Sequence, residues 1–204
     1  MVSGIIQIKT LTPPDLDEKE VLRFAGVRKG NDASELLPLL RECALLATDK
    51  LSYRLCYREL EISFCEDELN LGFMTTRSRA LQKNLSGCHS IVLFSATVGL
   101  ELDRLIAKYA KISPARALML QAIGAERVEA LCDTFCHTLS LELSMKGERL
   151  HPRFSPGFAD FPLCAQADIF AALECKKHIG VSLGESFLMS PTKSVTAIAG
   201  ISKM

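Results

Sequence analysis

Charge of one sign does not accumulate in this sequence: 24 Lys plus Arg stand against 24 Asp plus Glu over 204 residues. A balanced chain lacks the long-range field that selects nucleic acid or an anionic membrane surface. No local block compensates, since Lys83, Lys108 and Lys111 are scattered. Nucleic acid is therefore not expected as a partner. Long apolar runs are also lacking. The most apolar stretch, Ser90 to Leu100, is too short to cross a bilayer and runs into Glu101 and Asp103. The N-terminal MVSGIIQIKT has no basic region leading into a long apolar run, and no lipidation motif is visible at Met204. Neither export nor a membrane anchor is expected, and a cytoplasmic location is.

CxxC is missing although there are 8 cysteines, so the strong zinc and redox patterns do not occur. Cys43, Cys56, Cys65, Cys88, Cys132, Cys136, Cys164 and Cys175 are spread over a core-sized chain. They read as free buried thiols of a reducing compartment rather than a disulfide framework. No nucleophile motif such as GxSxG surrounds His89, His137, His151 or His178. Glycine-rich phosphate loops are missing too, because Gly99 stands alone after its strand. These absences exclude a self-contained catalytic machine. There is no repeat and no low-complexity segment.

What is present is an ordinary globular composition, 48% hydrophobic and 24% charged. The linker candidates, Thr12-Pro13-Pro14, Lys29-Gly30-Asn31-Asp32 and His151-Pro152, are too short to mark a boundary. One domain over 1–204 is expected. Ile5, Ile6 and Ile8 suggest a first strand, and Glu18 to Ala25 a small helix. Asp32 to Glu35 offers a capping arrangement for a helix carrying Leu36, Leu39, Leu40, Cys43, Ala44 and Ala47. Tyr53, Leu55 and Tyr57 alternate, then Leu60, Ile62 and Phe64 alternate in the opposite parity: two strands, or one with a bulge. Arg77 to Leu85 reads as a helix and Ser90 to Ala96 as a buried strand. A helix follows with Glu101 and Asp103 at its positive end.

Ser113-Pro114 opens a long helix with serine as N-cap and proline at the first position. Its apolar face runs from Leu120 to Leu139, long enough to predict a kink. Gln166 to Leu173 is a further helix and Val195 to Ile201 a last strand. The irregular alternation of strands and helices predicts an α+β fold, a mainly antiparallel twisted sheet with flanking helices.

Three groupings could carry chemistry. The loop Arg153 to Pro162 has Pro156-Gly157 at the centre of a type II turn, flanked by an arginine and by Phe154 and Phe158. An arginine can grip a carboxylate with two N–H groups, and aromatic rings can stack on a planar ring or face a cation. The plainer reading is a rigid surface turn with Arg153 in a salt bridge. Glu126, Glu129 and Asp133 share one side of the long helix, where a carboxylate could hold an ammonium or sulfonium group, or where all three form a solvated face. Cys132, Cys136 and His137 could ligate a metal, but three residues from one helix rarely complete a tetrahedral site. Two core thiols beside a histidine is the simpler account.

Read as a unit, the last part of the chain carries a resemblance. RFSPGFADFPL (153–163) and IGVSLGESFLMSPTKSVTAIAG (179–200), with SATVGLELDRLI (95–106) and AERVEALCD (125–133), resemble the activation domain of cobalamin-dependent methionine synthase. They resemble still more closely the short stand-alone proteins related to it. The likeness covers roughly Ile91 to Ile201, and the first 90 residues match only loosely. It implies a reactivation subunit: a domain that binds S-adenosylmethionine, docks over a cobalamin-binding methionine synthase or other corrinoid protein, and supplies a methyl group when a flavoprotein or ferredoxin reduces the oxidised cobalt. The cobalamin would be carried by the partner. By the same resemblance, Arg153 would pair with the ligand carboxylate and Ser155 and Gly157 would contribute backbone. Phe158 would stand where the family has a tyrosine, and Glu129 would favour the cationic end of the ligand.

The sequence departs from the pattern in several places. Phe158 has no hydroxyl, and Asp160-Phe161 replace an Ala-Cys pair. The synthases have an Asp-Trp pair and, beyond the last strand, paired tyrosines; this sequence has no tryptophan and ends at Met204. The alternative is therefore a docking or regulatory module for a corrinoid protein that does not bind S-adenosylmethionine.

Overall fold

The computed structural model describes residues 4–28 and 33–204. In chain order the elements are β1 (Gln7–Lys9), α1 (Glu18–Phe24), α2 (Leu37–Ala47), β2 (Arg54–Glu61), β3 (Ser63–Cys65), β4 (Glu68–Asn70), β5 (Thr75–Thr76), α3 (Arg79–Asn84), β6 (Ser90–Thr97), α4 (Leu100–Ala110), α5 (Pro114–Ser144), β7 (Glu148–Leu150), α6 (Ala165–Leu173), α7 (Cys175–Ile179), β8 (Ser182–Leu183), β9 (Met189–Ser190) and β10 (Ser194–Lys203). The main sheet has the order β1-β2-β6-β10-β7, and every pairing in it is antiparallel. This is the expected α+β architecture.

Strand β6 is buried at every position, which explains its unbroken apolar run. Side chains alternate between the two faces of a strand, and here both faces are covered. Ile91 and Leu93, with Cys56, Leu60 and Ile198 from the neighbouring strands, pack against Leu81 of α3 and Ile169 and Leu173 of α6. Val92, Phe94 and Ala96, with Leu55 and Ala197, pack against Leu131, Phe135 and Leu139 of α5. A third cluster joins Val21 of α1, Leu40 of α2, Leu102 and Ile106 of α4, and Leu120 and Ile123 of α5. Helix α5 thus belongs to both layers. Its 31 residues form one continuous helix. They span about 46 Å at 1.5 Å per residue.

The parity switch near residue 62 marks two strands. After β2 the chain leaves the main sheet and builds a separate three-stranded sheet, β3-β4-β5, before returning through α3. Local signals place the helix starts with mixed accuracy. Asp17 caps α1 by accepting from Lys19 N and Glu20 N at 2.9 and 3.2 Å. The predicted cap of α2 is different: Asp32 lies outside the described residues, and the chain enters through a 3-10 turn, Ser34–Leu36, with no side-chain cap at Ala33 or Leu36. Pro114 does begin α5, but Ser113 does not cap it with its side chain; its hydroxyl accepts from Arg116 Nη1 at 3.5 Å.

Gly124 lets the helices approach closely. A Cβ there would lie 2.6 Å from Leu102 Cδ2 on α4 and 2.9 Å from Lys193 Cγ.

Candidate functional site

After β7 the chain runs back along β10. His151 N donates to Gly200 O at 2.8 Å, and Phe154 exchanges both backbone bonds with Ile198, at 2.8 and 2.9 Å. Strand β7 itself pairs only with Ile201 to Lys203. On the side away from β6, residues 194–197 of β10 therefore have no strand neighbour among the described residues. The Arg153–Pro162 loop diverges at this notch in the sheet.

The loop is a type II turn, as its sequence predicts. Phe158 N donates to Ser155 O at 3.3 Å, across Pro156 and Gly157, and Gly157 has φ +87°. That positive φ is the conformation this turn requires at its third position. Gly157 N then donates to Phe161 O at 2.8 Å, and Phe161 is buried in the core. Asp160 accepts from Ser78 Oγ at 2.5 Å, from Arg79 N at 2.7 Å and from Ala80 N at 3.2 Å, so it caps α3 together with Ser78. The Ser78 hydroxyl, with the two amides, holds the Asp160 carboxyl below its usual range. The two residues that depart from the family pattern are thus the pins that fix the loop: one plugs the core, the other ties the loop to a helix from the small-sheet excursion.

A cleft of about 500 Å³ opens between this loop, α5 and the start of β10. Arg153, Ser155, Phe158 and Glu129 all line it, and Gly157 holds the turn at its edge. Phe158 is 66% exposed and stands edge-on to Phe154, ring centroids 5.3 Å apart at 81°. Met189, Ser194, Val195 and Thr196 form much of the remaining wall.

Arg153 does not wait free in this cleft. Its Nη2 lies 2.6 Å from Asp133 Oδ1 and 2.9 Å from Glu129 Oε2. Burial would pull the guanidinium pKa down, but the Glu129 and Asp133 carboxylates beside it hold it above its usual value. Both carboxylates take the same nitrogen, so Nε and Nη1 have no protein partner among the described residues. The arginine is thus oriented by α5 through Nη2, the nitrogen common to both forks of a guanidinium.

The expectation of a solvated acidic face on α5 is corrected. Glu126 is 5% exposed and bonded to the neighbouring Arg127, also 5% exposed. Arg127 continues to Pro14 O at 2.6 Å and Asp15 O at 3.2 Å, while Asp17 N donates to Glu126 at 3.3 Å. The pair fastens the segment before α1 onto α5. A second depression, about 980 Å³, lies between them and is lined by Asp17, Arg23, Glu126, Glu129 and Asp133. Glu129 lines both hollows, so they meet at the Arg153 ion pair.

Cys132 is buried and Cys136 half-buried. Burial pushes both thiols up, Cys136 to about 11, so neither is a thiolate at neutral pH. His137 is exposed on the side of the second depression. All 8 cysteines are free, though Cys65 and Cys164 are exposed, against the expectation of buried thiols throughout.

Sequence reasoning missed three residues of this region. Asp160 gives no local signal, because its partners lie about 80 residues away in sequence. Gln166 and Thr196 look like ordinary members of an amphipathic helix and a strand, yet both are buried against the cleft, 6% and 2% exposed. A glutamine inside AQADIFAAL, facing inward with the apolar residues, was the available hint.

Fold and site together define a class: an antiparallel α+β domain with a ligand-sized cleft at an incompletely paired sheet edge. The chain has the fold of the MetH reactivation domain. The crystal structure of that domain bound to AdoHcy matches with a TM-score of 0.71 at 18% identity, covering 96% of this chain and 78% of that one. No protein-family model and no curated protein matches the sequence. Among the described residues, no helix is long and apolar enough to cross a membrane.

Proposed function

We propose that this chain binds S-adenosylmethionine in the cleft beside the Arg153–Pro162 loop and acts as a separate reactivation subunit for a methionine synthase or another corrinoid protein. One observation carries the reading: an oriented guanidinium, a carboxylate and an exposed aromatic ring converge on one cleft of about 500 Å³. That set complements a zwitterionic sulfonium compound. A single N–H of Arg153, at Nε or Nη1, would donate to the α-carboxylate in a charge-assisted bond. The Glu129 carboxylate, 42% exposed, would attract the cationic end, and the Phe158 ring would offer a cation–π face. The fold likeness supports the same ligand, because the neighbouring domain was solved with AdoHcy, the demethylated product.

The chain's part is positioning. Arg153, Glu129 and the rigid Ser155–Phe158 turn hold the ligand so that its methyl group faces outward, and fixed geometry replaces the entropy of a chance encounter. Cobalamin carried by the partner would supply the metal that accepts the methyl, and a flavoprotein or ferredoxin would supply the electron. The protein would work in the cytoplasm, as one domain spanning 1–204, without nucleic acid or membrane.

The ion pair from Arg153 to Glu129 and Asp133 favours the second reading, a docking module without this ligand. Calorimetric titration with S-adenosylmethionine separates the two. Saturable heat that Arg153→Ala abolishes supports ligand binding. No heat at millimolar ligand, with or without a corrinoid partner, leaves the docking module.

A further inference from the structure

Two buried polar atoms on residues that line the cleft, Gln166 Oε1 on α6 and Thr196 Oγ1 on β10, have no hydrogen-bond partner among the described residues. Buried polar side chains are nearly always paired, and an unpaired one destabilises a fold. Two of them in one cleft, on elements far apart in sequence, are difficult to account for by packing alone. Their chemistry is specific. A glutamine amide presents a carbonyl and an NH2 group side by side, and the group can turn over to exchange them. A threonine hydroxyl donates or accepts. Neither is charged. The charged groups of the cleft, Arg153 and Glu129, come instead from the loop and from α5. The same cleft is also lined by Pro156, Met189 and the Phe154–Phe158 edge-on pair, which suit a flat ring.

We infer that Gln166 and Thr196 read the donor–acceptor edge of a neutral heterocycle, the 6-amino group and N7 of an adenine, while Arg153 and Glu129 hold the charged end of the same ligand. This rests on the ligand proposed above. An amide bonds that adenine edge with two hydrogen bonds, as glutamine and asparagine do in DNA recognition. A site built to hydrogen-bond a ligand group discriminates strongly against a ligand that lacks it, because its own buried groups are then left unpaired. The two residues therefore set base specificity.

The test is calorimetry on the full chain with S-adenosylhomocysteine and with S-inosylhomocysteine, in which a 6-oxo group replaces the 6-amino group. The wild-type chain should prefer the adenosyl compound by about tenfold or more. Gln166→Leu should lose that preference while keeping the circular dichroism of the folded chain, and Thr196→Val should reduce it. If Gln166→Leu does not fold, the wild-type preference and the Thr196→Val result decide. Equal wild-type affinity for the two compounds, or a preference unchanged in the variants, overturns the base-reading role and leaves ligand binding standing. Failure of the wild-type chain to bind either compound overturns the ligand itself, and the base-reading role with it.

Discussion

Arg153 answers to two sets of partners. Its Nη2 is held by Asp133 and Glu129, and the side chain also lines the cleft. Asp133 is 71% exposed and competes with any incoming carboxylate for the same cation. Asp133→Asn should therefore tighten S-adenosylmethionine binding by about threefold at low salt, an effect of the size expected for a screened surface pair. Glu129→Gln should weaken binding instead, since it removes the charge that faces the cationic end of the ligand. Calorimetry at two ionic strengths checks both signs, and the gain from Asp133→Asn should shrink as salt rises. The residue scale also shows why spacing alone left Arg153 ambiguous. Spacing put a guanidinium beside a turn and put carboxylates on one helix face, but it could not show that the two meet. They do, so the plain salt bridge and the proposed ligand contact would share one side chain.

At the scale of elements, α5 organises the molecule and concentrates the most damaging substitutions. Arg127→Met would strand the buried Glu126 carboxylate and release Pro14 and Asp15 from the helix. Removing one partner of a buried ion pair costs roughly 3–5 kcal/mol, which urea denaturation would read as a lower midpoint. Gly124→Ala pushes a methyl into Leu102 and Lys193. Overpacking of this kind costs about 1–3 kcal/mol, partly relieved where the lysine stem can move. Asp160 links elements through charge. Its folded pKa lies below the ordinary carboxylate value of 3.8, so the stability it contributes is present above that value and is lost as pH falls through the folded one. The difference in melting temperature between wild type and Asp160→Asn should be full at neutral pH and close on acidification below about pH 4.

Most element positions were legible in the sequence because periodicity and burial agree there: the Ser90–Ala96 run is a strand covered on both faces, and the opposed parities around residue 62 are two strands in two sheets. Caps were less legible. Asp160 caps α3 from far along the chain, and no local pattern announces such a bond.

For the whole molecule, ligand and fold should be linked by mass action. A ligand that binds only the folded chain stabilises it by about 2.7 kcal/mol at one hundred times its dissociation constant. For a chain of this length that corresponds to a rise of roughly 5–10 °C in the melting temperature. Saturating S-adenosylmethionine should produce this rise in wild type and not in Arg153→Ala. The site itself was legible in its loop and at Glu129 of α5. Its floor comes from α6 and β10, and its far wall from α5; these meet because β10 lacks a strand neighbour over 194–197, a property of strand order that sequence spacing does not encode.

The carboxylate that joins the turn to the small-sheet excursion gives two remote stretches of chain a common fate. When Asp160 lets go, the amides of Arg79 and Ala80 lose their acceptors at the same moment that the Pro156–Gly157 bend loses its anchor. Amide exchange with heavy water at residues 79–81 should therefore slow when S-adenosylmethionine occupies the cleft, though no atom of that helix lines it. A label placed on α3 would then report on occupancy from outside the site.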